Sequence, residues 1–262
     1  MKILNRTEVI QMPNKQKQML AVWGSPGSGK TVTAVKIAAE LSKQKKNVVI
    51  VLCDTTAPPL PALIRTKKTP ECSVGAALAA PVITQDLVLK NLAVYDKNPY
   101  ISLLGYKAGE NIYTYAEYSK ERAVDMLVLL RHIADYVIVD CSSSLTDNIL
   151  STTALEVADD VLRLCPCELK GISYYMSYLP LIGDRKFKPE KHIKALSNTR
   201  SYEGGREYES SYGGVKYRLP YIPTIEEQAA TLNLTEPLSG KEAKAYESVI
   251  AAIAREVFAD GK

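Results

Sequence analysis

Short apolar runs alternate with longer stretches in which apolar residues recur every three or four positions. Such runs are typical of buried strands, and they lie at 19–23, 47–54, 100–105, 136–140, 161–164 and, less regularly, 191–198. Helical spacing extends from Val32 to Leu41 and from Ser119 to Arg131, where Ser119 is placed to cap the helix. Strands that alternate with helices predict an α/β fold, in which helices cover both faces of a mostly parallel sheet.

Three further helical segments are predicted. Two short pieces lie at 76–80 and 84–89, on either side of Pro81. The segment 241–258 predicts a final helix with an apolar stripe toward the core. The expected core-facing residues of that helix are Ala245, Val249, Ala252, Ile253 and Val257.

Composition changes at two places along the chain. Residues 201–216 are mostly Tyr, Gly, Ser, Glu and Arg, which predicts a mobile loop. Arginine beside tyrosine could stack on nucleic-acid bases, but a surface excursion between two strands explains this composition better. Residues 1–17 are polar and read as an N-terminal extension. The whole chain, residues 1–262, is expected to form one domain.

Overall composition is that of a globular protein, with 46% hydrophobic and 24% charged residues. No run approaches the roughly 18 apolar residues of a membrane span, and the first residues lack the apolar core of a signal peptide. We therefore expect a cytoplasmic protein, with peripheral attachment to a membrane left open. The net charge of +4 permits weak attraction to DNA or an anionic membrane but does not support either partner.

Cysteine and histidine do not form a recognisable metal site. Cys53, Cys141 and Cys165 stand at the ends of apolar runs, which favours small buried side chains over ligands. The pair Cys165 and Cys167 lacks the second pair or nearby histidine that a zinc site needs.

One segment carries specific chemistry, because it fits the G-x-x-x-x-G-K-[ST] phosphate loop and lies between a predicted strand and a predicted helix. Its residues are Gly24, Ser25, Pro26, Gly27, Ser28, Gly29, Lys30 and Thr31. Glycines let backbone N–H groups close around phosphate oxygens, and the positive end of the following helix favours the same anion. Lys30 is expected to reach the β- and γ-phosphates, and Thr31 to offer its hydroxyl to Mg²⁺.

Two acidic residues end strands that should lie beside this loop. Asp140 closes the most regular apolar run, where a Walker-B acid would hold Mg²⁺ directly or through water. Asp54 closes another strand and could orient the attacking water or join the metal shell. Each could instead be a turn residue, because aspartate is common after strands.

Together these features resemble the ParA/MinD group of P-loop ATPases. The phosphate loop, Asp54 and the segment 134–141 carry the specific part of the resemblance, and the segment 158–162 is similar to another strand of the group. The resemblance extends over nearly the whole chain, from about residue 19 to residue 258.

Less specific matches lie where the group binds the adenine base of its nucleotide. Asn198 is similar to the group's asparagine that reads the adenine edge. Tyr221 and Pro223 lie in a segment similar to the group's late strand and proline beside the adenine. The resemblance thus implies that these three residues contact the base.

The resemblance implies an ATPase that uses ATP and Mg²⁺, with Lys30, Asp54 and Asp140 as catalytic residues and Thr31, Asp54 and Asp140 around the metal. It also implies a homodimer that closes face to face around two nucleotides and positions a partner assembly. Such assemblies include plasmids or mobile elements, division-site regulators, and pilus or secretion machinery. Within the group, the pilus-localisation branch (TadZ/CpaE type) tolerates departures in the phosphate loop and is the branch that this sequence most resembles.

The chain departs from the group at two positions. The group's loop carries a lysine that reaches the partner's phosphates, whereas this chain has Ser25 followed by Pro26. Serine supplies no charge in trans, so we expect slow hydrolysis. Leu52 replaces the first acid of the group's pair on the second strand. The candidates for the missing charge are Arg163, Lys170, Arg185 and Arg200.

Two other functions stay compatible with the sequence. A scaffold that ATP locks into a dimer would not need hydrolysis. A P-loop kinase or another metabolic NTPase would share the loop and the acids, and would need an arginine-rich lid, for which residues 200–218 are the candidate.

Overall fold

Eight strands form one sheet in the structure, a computed structural model that describes residues 18–64, 73–200 and 205–258. The strands are β1 (Met19–Gly24), β2 (Val48–Leu52), β3 (Ala93–Val94), β4 (Ile101–Gly105), β5 (Tyr136–Asp140), β6 (Asp160–Pro166), β7 (His192–Thr199) and β8 (Tyr217–Pro220). Their order is β3-β4-β2-β5-β1-β6-β7-β8. All neighbours are parallel except β3 and β4. The predicted α/β fold with a mostly parallel sheet is confirmed.

Helices cover both faces of this sheet. Within the described residues they are α1 (Lys30–Ser42), α2 (Val74–Ala79), α3 (Gln85–Asn91), α4 (Lys120–Ile133), α5 (Ile149–Val157), α6 (Leu169–Ile182), α7 (Gly205–Ser211), α8 (Pro223–Ala230) and α9 (Lys241–Val257). One apolar cluster joins the sheet to α1, α8 and α9. The opposite face packs against α2 to α5, while α6 and α7 adjoin a smaller cluster around Cys165 and Tyr212.

Successive side chains of a strand point to opposite faces of the sheet, and the apolar core therefore has two halves, one on each face. In β1, Leu20 and Val22 point to the α1 face, and Met19, Ala21 and Trp23 point to the opposite face. All six residues of β1 are buried, as expected for a central parallel strand with helices on both sides.

The predicted loop at 201–216 is wrong over much of its length. Residues Gly205–Ser211 form α7, and Tyr212 is buried with its hydroxyl donating to the Pro166 carbonyl at 2.8 Å. A buried aromatic ring holds a segment in place even where the neighbouring composition is typical of loops. Residues 201–204, and the predicted extension at 1–17, lie outside the described residues.

Two details of the predicted helices also differ. In α9 the buried residues are Ala243, Tyr246, Ile250, Ile253, Ala254 and Val257. Of the predicted core-facing residues, Ala245 is exposed and Val249 and Ala252 are half-buried. The buried face of the helix is the one that carries Tyr246, which the prediction left out. Ser119 occupies the N-cap position of α4, but its side chain makes no capping hydrogen bond.

Within the described residues, none of the helices has the length and apolar character needed to cross a membrane. Cys53, Cys141 and Cys165 are buried, as predicted, and Cys72 lies outside the described residues. The part of the chain that the structure describes contains no cluster of three or more His, Cys, Asp or Glu side chains that could hold a metal ion.

Candidate nucleotide site

The phosphate loop links the end of β1 to the start of α1. Gly27 has φ of +76° and Gly29 has φ of +85°, conformations that favour glycine. At Gly24, an added Cβ would lie 2.6 Å from the Leu164 carbonyl oxygen and 2.7 Å from Ser28 Oγ. Gly29 is the N-cap of α1 and has no side chain to cap it. The first N–H groups of α1 therefore have no side-chain cap, which leaves them available to bind an anion.

Lys30 lies in the first turn of α1 and is half-buried. Its ammonium group donates to the Ser25 carbonyl at 3.2 Å and to Ser143 Oγ at 2.6 Å. Burial lowers the pKa of Lys30, and the charges of Asp140 and Asp54 oppose that shift. Both carboxylates thus act on the same ammonium group.

Thr31 and Asp140 meet directly. Thr31 Oγ1 donates to Asp140 Oδ2 at 2.6 Å, because β1 and β5 are neighbouring strands with Val22 opposite Asp140. Asp140 is buried, and burial raises its pKa to about 6 even though Thr31 and Lys30 oppose the shift. A carboxylate that is costly to bury alone is suited to hold a cation.

Unpaired polar atoms around the loop fit a bound nucleotide with Mg²⁺. Asp140 Oδ1, Ser25 Oγ and Ser28 Oγ are buried and have no hydrogen-bond partner among the described residues. Buried polar atoms normally have partners, and a phosphate with its metal supplies the acceptors and the cation that these atoms lack. The residues present therefore fit the group that the phosphate loop implies.

Asp54 lies beyond the end of β2 and is half-buried. Its Oδ1 accepts hydrogen bonds from the N–H groups of Thr56 at 2.8 Å and Ala57 at 3.0 Å. This is a turn role, and yet its charge also raises the pKa of Asp140. Asp54 is thus within electrostatic range of the centre, where its predicted role toward the metal or the attacking water stays a prediction.

A cavity of about 380 Å³ adjoins the loop on the side of β7 and β8. Its lining includes Gly27, Gly29, Asn198, Tyr221 and Ile225. Asn198 Nδ2 donates to the Gly27 carbonyl at 3.3 Å, and its φ of +52° directs the end of β7 toward the loop. The structure therefore places Asn198 and Tyr221 beside the phosphate loop, where a base would lie.

Pro223 lies elsewhere. It is the first residue of α8 and lines a neighbouring cavity together with Arg200 and Tyr221. Its predicted contact with the base is therefore less direct than that of Tyr221.

The four candidates for the missing charge are scattered. The Arg200 guanidinium lies 4.3 Å from the centre of the Tyr221 ring at the base cavity. Arg163 is buried in β6, with its guanidinium 4.6 Å from the Tyr175 ring centre. Lys170 and Arg185 are exposed, at the start of α6 and just beyond its end.

Sequence reasoning missed Ser143. It follows Asp140 by three residues in a serine-rich stretch, and its contact with Lys30 connects two segments far apart in the chain. The sequence signal that could have indicated Ser143 is the run of serines shortly after the Walker-B acid Asp140.

The fold and the site define a P-loop nucleotide-binding protein of the α/β class. A model of the AAA domain family matches residues 20–190. The chain belongs to this family, and it is a P-loop ATPase of the ParA/MinD type. A comparison with curated protein sequences gives no match.

Solved structures of the same fold cover nearly all of the chain. A ParA family ATPase from Chlorobium tepidum TLS is 18% identical with a TM-score of 0.74, over 91% of this chain and 98% of that one. MinD from Pyrococcus horikoshii OT3, solved with Mg-ADP, is 13% identical with a TM-score of 0.69, over 92% and 96% of the two chains. A MinC:MinD complex from Aquifex aeolicus gives 14% identity and a TM-score of 0.69, over 94% and 97%.

Proposed function

We propose that this protein binds ATP with Mg²⁺ at the phosphate loop and hydrolyses it slowly. The observation that carries the proposal is the contact of Thr31 with buried Asp140, next to the ammonium group of Lys30. Glycine backbone, lysine, hydroxyl and carboxylate are the four groups that a P-loop uses. One structural relative was solved with Mg-ADP, which supports the same ligand here.

Each group has a separate task. Bound Mg²⁺ would supply positive charge to the phosphates. Thr31 and Asp140 would hold that ion, and Lys30 and the N–H groups of the loop would bind phosphate oxygens. Asp54 would orient the attacking water. Asn198 and Tyr221 line the base cavity and favour a nucleoside ligand.

Slow turnover follows from the loop itself. Ser25 is buried, being only 4% exposed, and a serine hydroxyl is short and uncharged. It cannot place a positive charge on the phosphates of a second copy, and such charges contribute strongly to phosphoryl transfer.

We further propose that ATP promotes a homodimer. Leu169 and Met176 are 77% and 55% exposed on α6, which directly follows the end of β6 beside the phosphate loop. A second copy that covers this edge of the sheet would bury these apolar side chains.

The dimer would then position a partner assembly in the cytoplasm or at the membrane surface. A MinD relative was solved in complex with MinC, which supports a protein partner. The pilus-localisation branch is our proposal for the type of assembly, because this chain lacks the group's lysine.

Phosphate release tests the proposal. We expect turnover below about 1 s⁻¹, at or under the low end of enzymes, and none in Asp140→Ala. Asp135→Ala is the matched control, since Asp135 precedes the opposite end of β5 and bonds the Asn47 N–H at 2.9 Å. Turnover that persists in Asp140→Ala would contradict the assignment. Binding without any turnover in the native chain would favour the scaffold.

Sedimentation with ATP and Mg²⁺ tests the dimer. We expect a monomer without nucleotide and a dimer with it, and Leu169→Glu should prevent the dimer. A monomer under both conditions would contradict the proposal and favour a kinase or other metabolic NTPase.

A further inference from the structure

Ser143 stands between the phosphate loop and α6. Its Oγ accepts a hydrogen bond from Lys30 Nζ at 2.6 Å, and its carbonyl accepts one from the Tyr174 hydroxyl at 2.6 Å. A side chain of α6 thus holds the backbone of the residue that contacts the phosphate-loop lysine. Both contacts are short and partly buried, so a displacement of one partner reaches the other.

An aromatic cluster makes a second connection between the same two elements. Trp23 directly precedes Gly24 of the phosphate loop, and its ring centre lies 5.4 Å from that of Tyr174 and 5.6 Å from that of Tyr178. The two tyrosine rings lie 4.7 Å apart. Tyr174 is therefore the residue that both connections share.

The helix α6 is weakly anchored. Only Gly171 and Ile182 are buried among its 14 residues, and Pro180 removes one backbone hydrogen bond from its last turns. Below it, the Arg163 guanidinium lies between Trp23 and Tyr175, with Nε and Nη2 buried and unpaired among the described residues. A buried cation that has ring faces but no carboxylate as partners among the described residues costs free energy. Elements with few buried contacts are the ones that move at low cost.

The ammonium group of Lys30 has three donor hydrogens. Two of them already bond to Ser25 and Ser143. A phosphate that accepts from the third hydrogen draws the ammonium group toward itself and so alters its contact with Ser143, since phosphate is the stronger acceptor. Any shift of Ser143 moves the acceptor of the Tyr174 hydroxyl.

We propose that Tyr174 is a positioning residue that couples the placement of α6 to phosphate binding at Lys30, through Ser143. This inference rests on nucleotide binding at the phosphate loop, proposed above. Its consequence is that nucleotide changes the position of α6, a helix with exposed apolar residues that follows the inner strand β6.

The chain supplies its own reporter, because Trp23 is its single tryptophan and touches Tyr174. We would titrate the protein with a non-hydrolysable ATP analogue and Mg²⁺ and follow tryptophan emission. Hydrogen exchange of residues 169–182 gives a second readout that does not depend on fluorescence.

Tyr174→Phe keeps the ring and removes the hydroxyl. We expect this variant to lose most of the nucleotide-induced change in emission and in exchange, while calorimetry shows an affinity within about fivefold of the native chain. Tyr178→Phe is the matched control, since it lies in the same cluster and its hydroxyl makes no hydrogen bond to the described residues. This control should keep both responses.

The possible failures are distinguishable. Native protein that does not bind the analogue in calorimetry would overturn the proposed function. Native protein that binds it without any change in Trp23 emission or α6 exchange would overturn the coupling, as would full responses in Tyr174→Phe. If Tyr174→Phe does not fold, Ser143→Ala removes the Lys30 contact instead and should lose the same responses.

Discussion

The helices α1 and α6 follow neighbouring strands of one sheet, and they are packed in opposite ways. Eight of the 13 residues of α1 are buried, against two of the 14 residues of α6. Even the buried lysine of α1 is paired, because Lys36 Nζ donates to Gln228 Oε1 at 2.6 Å and to the Glu236 carbonyl at 3.0 Å. Two guanidinium nitrogens of Arg163, under α6, have no hydrogen-bond partner among the described residues.

This difference separates two tasks at one edge of the sheet. The N-terminus of α1 must hold phosphate in a fixed geometry, which dense packing provides. The face under α6 combines aromatic rings with one buried cation, Arg163, and only two residues of the helix itself are buried, so α6 is held by few buried contacts. A rigid platform and a movable neighbour are what a nucleotide-controlled surface requires.

The largest expected effect on stability tests this contrast directly. Ile37→Ala in α1 should lower the free energy of unfolding by about 2–5 kcal/mol, since it leaves a cavity in a fully buried site. Met176→Ala in α6 should cost less than about 0.5 kcal/mol, because that side chain is 55% exposed. Urea unfolding measures both, and equal losses would show that α6 is as firmly packed as α1.

Acid should weaken the α6 face through His192. Its Nε2 bonds the Phe187 carbonyl at 2.8 Å and its Nδ1 is buried without a partner among the described residues. Burial, with help from Arg163, lowers the pKa of His192 to about 4, below its ordinary 6.5. The unfolded chain therefore binds a proton between these values that the folded chain does not, and stability falls as pH drops from 6.5 toward 4.

The size of that loss is at most about 3.5 kcal/mol, from roughly 1.4 kcal/mol per pKa unit. His192→Gln should remove this part of the acid dependence, and His132→Gln, at an exposed position in α4, controls for loss of a histidine. Unfolding curves at several pH values measure it. If His192→Gln lost stability in acid as steeply as the native chain, protonation of His192 would not be what weakens this face.

A smaller effect is expected where β7 meets the phosphate loop. Asn198→Gly removes the side-chain amide that donates to the Gly27 carbonyl. Glycine at this position tolerates the φ of +52°. Losing one hydrogen bond near the base should weaken ATP binding about fivefold to tenfold. Calorimetry against the native chain measures the change, and an unaltered affinity would mean that Asn198 does not contact the base.

Continuity along the chain explains which features the sequence could predict. The central strands are uninterrupted apolar runs, and the phosphate loop is one contiguous motif with a fixed residue order. Both signals are local, so the sheet and the placement of Lys30, Thr31 and Asp140 could be predicted.

Features that depend on distant contacts could not. The prediction left out α6, whose apolar residues lie on exposed as well as buried sides and give no clear stripe. The bond from Tyr174 to Ser143 joins residues 31 positions apart, and burial of Tyr212 fixes a segment with the composition of a loop. In α9, the buried face includes Tyr246 and not the predicted Ala245, so the apolar stripe of the helix lies on a different side from the one that the sequence predicts.

Titration calorimetry with ATP and Mg²⁺ tests the central claim, that the loop from Gly24 to Thr31 is a nucleotide site. The native chain should bind ATP, and Lys30→Ala should bind it at least about 100-fold more weakly, because a charge-assisted contact to phosphate is lost. Lys43→Ala, at the C-cap of the same helix, should bind as the native chain does. Equal affinity of Lys30→Ala and the native chain would contradict the account.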